Sequence, residues 1–149
     1  MPNASIKKVI PCKKTDLINM ILDIEKYPEF VPWCLAGKIH RKDDMKDIIE
    51  IEADLTVGKK FLNQTYKSHV TYFKDMDKII VINIGGPLKH LKNEWEIREI
   101  NNQSEVNFTI DFEIKNVFYN MVMKKSFDQG LKNIADAFEK RAINLFKNF

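Results

Sequence analysis

Apolar and polar side chains alternate for about eighty residues from Leu35 onward, and this pattern restricts the possible folds more than any other. A repeat of two residues is typical of β-strands with one buried and one hydrated face. In the clearest example, Phe108 and Ile110 alternate with Asn107 and Thr109. Because short polar turns interrupt the pattern and no helical segment does, we expect an antiparallel meander rather than a parallel sheet.

Turn residues divide this meander into expected strands at 49–57, 61–73, 79–84, 91–100 and 106–114. The apolar-rich side of each strand should face the core. On the second strand that side carries Gln64 and Ser68 beside Leu62 and Tyr66, so two polar groups point into an otherwise apolar interior. Each of the two must find a hydrogen-bond partner, a water molecule or a ligand.

A long helical stripe follows the last strand. From about Val117 to Phe146, apolar residues recur at intervals of three and four, and Asn116 is a candidate N-cap. A helix of roughly thirty residues is about 45 Å long, which is enough to cross a whole sheet. Its first half is rich in Met and Phe, which either line a cavity or fill gaps in the core. Sheet and helix together predict an α+β fold, with a curved antiparallel sheet of six to seven strands around a long C-terminal helix.

The residues before the meander predict a first strand and two short helices. The strand ends at Pro11, which cannot continue a sheet ladder. Thr15 is a candidate N-cap for a helix over 16–24 whose apolar residues lie on one side. Pro28 and Pro32 remove backbone donors and disfavour helical dihedrals in the residues before them. A short, stiff connector that holds aromatic rings is therefore expected after this helix.

Composition narrows the classes of function. The 149 residues, 44% of them hydrophobic, are expected to form a single domain over residues 1–149. The net charge is only +3, and nearly all the basic residues are lysine, which disfavours DNA binding. This charge is compatible with transient contact with an anionic membrane surface. Apolar runs fall far short of the roughly 18 residues of a membrane span. Since Met1 to Lys14 also lacks a secretory signal, we expect a soluble cytoplasmic chain.

Motifs for catalysis and metal binding are missing from the sequence. Cys12 and Cys34 have no CxxC spacing and are expected to be buried or half-buried thiols. His40, His69 and His90 fall on different expected elements, and His69 should face solvent. We therefore expect a protein that has no catalytic residues, binds no metal and requires no cofactor.

Four segments occur in this order before the long helix: DIEKYPEFVPWC, LTVGKKFLNQTYKSHVT, GPLKHLKNEWEI and VNFTIDFEIKN. Together they closely resemble the coenzyme Q-binding START-like proteins. This family groups mitochondrial Coq-type proteins with bacterial RatA-like relatives, within the polyketide cyclase/dehydrase-like SRPBCC superfamily. The resemblance covers nearly the whole chain and implies the helix-grip fold of START and Bet v-like proteins. The chain departs from the family at Gly58-Lys59-Lys60, where relatives often carry an aromatic residue beside the glycine.

The resemblance implies a tunnel-like cavity that binds ubiquinone or a related polyprenyl lipid, and chaperones or delivers it in support of respiratory electron transport without catalysis. By matching motif, the entrance and its framework would comprise Tyr27, Pro28, Phe30, Pro32 and Trp33. Inward residues would surround the tail or ring, namely Leu62, Tyr66, Trp95, Phe108, Phe112, Met121, Phe127 and Leu131. Gln64 and Ser68 are the candidates for contact with a quinone oxygen.

Two alternatives belong to other functional classes. RatA-like relatives are associated with blocking the joining of ribosomal subunits, and Lys7, Lys8, Lys13 and Lys14 could contact RNA phosphates. A solvated surface is the simpler interpretation of these lysines. A cyclase-like enzyme rests on superfamily analogy alone and would need an inward-facing acid or base. The family also implies a location: the bacterial cytoplasm with peripheral contact at the inner membrane, or the mitochondrial matrix in a eukaryote.

Overall fold

The computed structural model describes the backbone of residues 3–32, 34–59, 62–85, 88–114 and 117–146, and side chains over 5–32, 34–56, 65–83, 91–111, 129 and 131–146. The elements within these residues are β1 Asn3–Ile10, α1 Lys14–Leu22, a 3-10 helix Ile24–Glu29, β2 Cys34–Asp44, β3 Ile48–Lys59, β4 Leu62–Phe73, β5 Lys78–Gly85, β6 Leu88–Ile100, β7 Gln103–Ile114 and α2 Val117–Phe146.

The seven strands form one antiparallel sheet in the order β1-β7-β6-β5-β4-β3-β2. Strands β2 to β6 each pair with the next strand along the chain, and β1 pairs with β7. The two edges are therefore β1 and β2. Two register shifts bend β2, one between Cys34 and Ala36 and one between Ile39 and Arg41. The expected meander, with two short helices before it and one long helix after it, is confirmed.

The turn between β6 and β7 fixes the register of these two neighbouring strands. Ile100 pairs with Gln103, so the connection has only two residues, Asn101 and Asn102. Both have positive φ, 51° and 64°, as a type I′ turn requires. Asparagine accepts this conformation more readily than most residues other than glycine. The resulting register aligns the inward side chains of β6 with those of β7.

The core lies between the sheet and the helices. Leu17 and Ile21 of α1 are buried, and so are the side chains of α2 that follow the expected stripe, Leu131, Ala135, Phe138 and Ala142. The spacing expected for this helix also places Leu145 on the buried side, but Leu145 is 40% exposed. The spacing of four residues after Ala142 continues to Phe146, which packs against the core, and this leaves Leu145 on the outer side.

Several expected boundaries were wrong, among them the start of β7, which lies at Gln103 rather than at residue 106. Helix α1 begins at Lys14, so Thr15 lies within its first turn, and the N-cap Lys13 makes no side-chain capping bond. Glu99 of β6 caps the helix instead, because its Oε1 accepts a hydrogen bond from the backbone N–H of Lys14 at 3.0 Å. Strand β6 begins at Leu88 rather than at residue 91, since Leu88 pairs with Ile114 across a register shift.

Candidate functional site

A buried polar pair lies on the inner face of the sheet, at the pairing of β4 with β5. Ser68 and Asn83 are directly opposite each other in the register and are only 3% and 9% exposed. The hydroxyl of Ser68 donates a hydrogen bond to Oδ1 of Asn83. The burial of Ser68 confirms the orientation that the alternation of β4 predicts. The pair therefore places a hydroxyl and an amide inside an apolar interior.

Asn93 adds a second amide to the same face. Asn83 pairs with Leu91, so Asn93 lies two residues further along β6, diagonally across from Asn83. Its neighbours on that face of β6, Leu91 and Trp95, are both buried. The Oδ1 atom of Asn93 is also buried and has no hydrogen-bond partner among the described residues. Polar atoms of this kind are uncommon in native proteins and call for a ligand or water.

Apolar side chains surround these three polar residues. Val81 and Ile110 lie on either side of Asn93 in its row across the sheet, and both are buried. Leu91 lies beside Asn83, and Ala53 lies beside Ser68 on β3. The interior here is suited to an apolar molecule that carries few polar atoms.

Tyr66 is the next inward residue of β4 beyond Ser68. It is half-buried, and burial raises the pKa of its phenol above the ordinary value. Its neighbour on β3 is Leu55, which packs at the margin of the core. Tyr66 therefore continues the inner face beyond the Ser68–Asn83 pair as a ring with one polar atom.

The aromatic rings of the proline-rich connector pack on α2. Tyr27 and Phe30 both contact the ring of Phe138 edge-on, with ring centroids 5.7 and 5.0 Å away. Phe138 also lies 5.1 Å from Trp95, which stacks on Phe108 at 4.3 Å. Tyr27 and Phe30 are thus joined to the core through one helix residue.

A hydrogen bond and an ion pair hold this aromatic cluster in place. The hydroxyl of Tyr27 donates to the backbone carbonyl of Ile21 in α1, and burial raises the pKa of the phenol well above its ordinary value. Arg141 of α2 binds Glu29 at 2.7 Å and places its guanidinium 5.1 Å from the centroid of Phe30. The hydrogen bond from Arg141 lowers the pKa of the Glu29 carboxyl. The C-terminal half of α2 is therefore fastened to the 3-10 helix.

The remaining residues of the predicted site fall into two groups. Leu131 is buried with the core, Pro28 is exposed within the 3-10 helix, and Pro32 is half-buried. Trp33 lies outside the described residues, and so do the side chains of Leu62, Gln64, Phe112, Met121 and Phe127. The structure thus brings Trp95, Phe108 and Leu131 into one core with Ser68 nearby. Contact of any of these residues with a ligand stays a prediction.

Asn83 and Asn93 were missed by the sequence analysis, although their strands contain the signal for both. Asn83 continues the spacing of two set by Ile79 and Val81, both buried. Asn93 lies two residues before Trp95, which was expected to point inward. The flanking Lys92 and Glu94 give this part of β6 the composition of a surface, which hides the inward amide.

Titratable groups of other chemistry lie away from this face. His40 pairs with Asp54 at 2.9 Å, and Nδ1 of His69 lies 3.9 Å from Glu52, all four residues being on strands β2 to β4. Among the described residues, no group of three or more His, Cys, Asp and Glu side chains is arranged to hold a metal ion. The side chain of His90 is outside the described set.

The two cysteines are free and buried, in agreement with the sequence analysis. Burial, with a smaller contribution from Asp16, raises the pKa of Cys12 to about 11. Burial also raises the pKa of Cys34. Neither thiol has the lowered pKa that marks a reactive cysteine.

Helices long and apolar enough to cross a bilayer do not occur in the part of the chain that the structure describes.

Comparison with known proteins assigns the family. Residues 16–139 match the family described as polyketide cyclase / dehydrase and lipid transport. The ribosome association toxin RatA of Rickettsia prowazekii (strain Madrid E) is 29% identical over 143 residues, which cover 94% of this chain and 95% of the toxin. The mitochondrial coenzyme Q-binding protein COQ10 of Dictyostelium discoideum is 30% identical over 131 residues, which cover 86% of this chain and 62% of that protein.

A solved structure supports the same assignment at the level of fold. A START superfamily protein from Mycobacterium smegmatis superposes with a TM-score of 0.82 over 96% of this chain and 98% of that one, at 16% identity. The seven-stranded sheet and long C-terminal helix thus have the same fold as that START superfamily protein. Because the family match covers most of the sequence, the chain belongs to the polyketide cyclase/dehydrase and lipid transport family.

Proposed function

We propose that this protein binds ubiquinone or a related polyprenyl lipid between the inner face of the sheet and α2, and chaperones or delivers it in support of respiration. The observation that supports this best is the buried Ser68–Asn83 pair within an apolar face. A quinone ring has few polar atoms and a prenyl tail has none, which matches such a face. A relative named as a coenzyme Q-binding protein supports the same ligand class.

The affinity of such a site comes mainly from the tail. Removing apolar surface from water contributes roughly 25 cal/mol per Å², so even part of a polyprenyl chain offsets the ordering costs of binding. The polar pair then selects the head group rather than supplying most of the binding free energy. Ser68 and Gln64 are the two predicted contacts with the quinone ring. The structure describes the side chain of Ser68 but not that of Gln64.

The protein is proposed to act without catalysis and without a cofactor. Ser68, Asn83 and Asn93 offer a hydroxyl and two amides, none of which gains or loses a proton near neutral pH. A cyclase-like reaction would need an inward acid or base. Transient contact with a membrane surface would let the lipid enter and leave. The proposed location is the bacterial cytoplasm beside the inner membrane, or the mitochondrial matrix in a eukaryote.

Extraction of the purified protein tests this proposal. We expect protein from a quinone-producing host to yield a prenylated quinone on solvent extraction, and the emptied protein to take up added ubiquinone. Ser68→Val should reduce uptake, while Thr109→Val, a similar change on the outward side of β7, should not. A protein that carries no lipid and fails to take up quinone would overturn the proposal.

Ribosome association is the second candidate, favoured by the relative named as a ribosome association toxin. The ion pairs of the N-terminal lysines argue against a free basic surface, because carboxylates neutralise their charges. Lys7 pairs with Glu105 at 3.3 Å, and Lys14 pairs with Asp77 at 2.8 Å. Co-sedimentation with ribosomes at two salt concentrations is the test, since phosphate contacts weaken steeply with salt. Absence of binding at low salt would remove this candidate.

A further inference from the structure

The polar groups of Ser68, Asn83 and Asn93 on the inner face of the sheet differ in whether they have hydrogen-bond partners. The hydroxyl hydrogen of Ser68 is directed at Oδ1 of Asn83. Oδ1 of Asn93 is a buried acceptor with no donor among the described residues. A buried acceptor that loses its water and gains no donor is costly. The unsatisfied hydrogen-bonding group on this face is therefore an acceptor, and it requires a donor.

The surroundings of Asn93 show what kind of donor fits. Its neighbours across the sheet, Val81 and Ile110, have apolar side chains and cannot donate. Asn93 is itself half-buried, although Leu91 and Trp95 on the same face of β6 are buried. The side chain of Asn93 is thus less tightly enclosed than its two neighbours on this face, although its Oδ1 atom is buried.

We infer that Oδ1 of Asn93 accepts a hydrogen bond from a ring hydroxyl of the bound lipid, so that the protein prefers a quinol or prenylated phenol to a quinone. This inference rests on the proposed function. The carbonyl oxygens of a quinone are acceptors only, and one placed at Oδ1 of Asn93, with the amide oriented as in the structure, would oppose lone pair to lone pair. The reduced ring carries O–H groups at the same positions and supplies the missing donor.

The expected preference is about tenfold, because one buried hydrogen bond gained rather than lost is worth roughly a factor of ten in affinity. For a two-electron couple, tenfold tighter binding of the reduced form raises the midpoint potential of the bound lipid by about 30 mV. The protein would then hold its cargo in the form that donates electrons.

A paired titration tests the inference. A short-tailed ubiquinone analogue is titrated into the full chain in its oxidised form and, under anaerobic conditions, in its quinol form, with the reductant alone as a blank. We expect the wild type to bind the quinol about tenfold more tightly. Asn93→Leu, which keeps the branched shape of the side chain and removes the acceptor, should bind both forms with similar affinity. Asn107→Leu, at an exposed position of β7, should keep the preference.

Each outcome is decisive. Equal affinities in the wild type, a preference for the quinone, or an unchanged preference in Asn93→Leu would overturn the inference while leaving lipid binding intact. Failure of the wild type to bind either form would instead overturn the proposed function. The comparison of the two forms in the wild type does not depend on whether the variant folds.

The melting temperature of lipid-free Asn93→Leu distinguishes a binding role from a structural one. If the amide serves the ligand, removing an unpartnered buried polar group should raise the melting temperature of the empty protein. A lower melting temperature together with a retained redox preference would show that Asn93 serves the fold, and would overturn the inference.

Discussion

Gly37 of β2 lies against the backbone carbonyl of Ile24, so close that a Cβ atom at position 37 would be 2.5 Å from that oxygen. The same contact region includes a hydrogen bond of 3.0 Å from the backbone N–H of Ile39 to Oε2 of Glu25. Strand β2 thus crosses the 3-10 helix at backbone contact distance, and the close approach requires a residue without a side chain.

Gly37→Ala should therefore destabilise the protein by about 1–3 kcal/mol, since the clash is with backbone rather than with a movable side chain. Urea unfolding followed by circular dichroism measures the change. Ala36→Ser, at the exposed neighbouring position, is the control and should leave the midpoint nearly unchanged. A Gly37→Ala protein as stable as the wild type would contradict the close approach.

Tyr27→Phe should lower the free energy of unfolding by roughly 1 kcal/mol, because the Ile21 carbonyl loses its side-chain donor. The ring contact with Phe138 is kept in this variant. Tyr66→Phe is the control, since the Tyr66 hydroxyl has no bond to the described residues, and its effect should be smaller. Thermal melts of the two variants side by side give the comparison. Equal effects would contradict a stabilising role of the Tyr27 hydroxyl.

The ion pair between β1 and α2 predicts a pH window of stability. Nζ of Lys8 lies 2.5 Å from Oδ1 of Asp136 and 3.2 Å from Oε1 of Glu139. The hydrogen bond from Lys8 lowers the pKa of Asp136 below its ordinary value of 3.8, and the bond to Asp136 raises the pKa of Lys8 above 10.5. Stability from Asp136 is present above its unfolded pKa and is lost as pH falls through the folded one. Stability from Lys8 is lost only as pH rises through its raised pKa.

Asp136→Asn should therefore lower the melting temperature by a constant amount between about pH 5 and pH 9, and the difference from the wild type should shrink in acid. Melting curves across this range test it. Asp75→Asn, at an exposed turn position, should show little difference at any pH. A difference between Asp136→Asn and the wild type that grew as the pH fell would contradict the ion pair.

Cys12 should react slowly with a thiol reagent in the folded protein. A rise in pKa from 9.0 to about 11 lowers the thiolate fraction at pH 8 by about a hundredfold, and burial restricts access further. Ellman's reagent should therefore label the folded protein slowly, and both cysteines should react rapidly in denaturant. Cys34→Ala isolates the Cys12 signal. Rapid reaction of folded Cys34→Ala would contradict the burial of Cys12.

Asn102→Val should destabilise the protein by about 1–2 kcal/mol, because a β-branched residue is forced to the positive φ of 64°. Asn102→Gly is the matched control and should be tolerated, since glycine adopts this conformation freely. Denaturant midpoints of both variants give the test. Equal stability of the two variants would contradict the type I′ turn.

The strands and their inner face were predictable because alternation is a local property of the sequence. Ser68, Trp95 and Phe108 all lie on the expected side of their strands and are buried. Helix α2 was predictable for the same reason, since its apolar spacing lies within one segment.

Relationships between distant segments were not predictable in this way. The cap of α1 comes from Glu99, on a strand far along the chain from Lys14. Ser68, Asn83 and Asn93 lie close together on one face because of the registers of β4, β5 and β6, and no single segment determines these registers. Packing of Tyr27 and Phe30 on Phe138 likewise depends on how α2 returns across the sheet.

The open sheet has two free edges, and each is built to resist addition of a further strand. On β2 the two register shifts distort the ladder that a new strand would have to follow. On β1 the inward Lys8 is held by carboxylates of α2, and Lys7 is paired on the other side. Irregular ladders and charged edge residues both disfavour edge-to-edge pairing. The native fold is thus a poor template for fibril growth, although its sheet is not closed into a barrel.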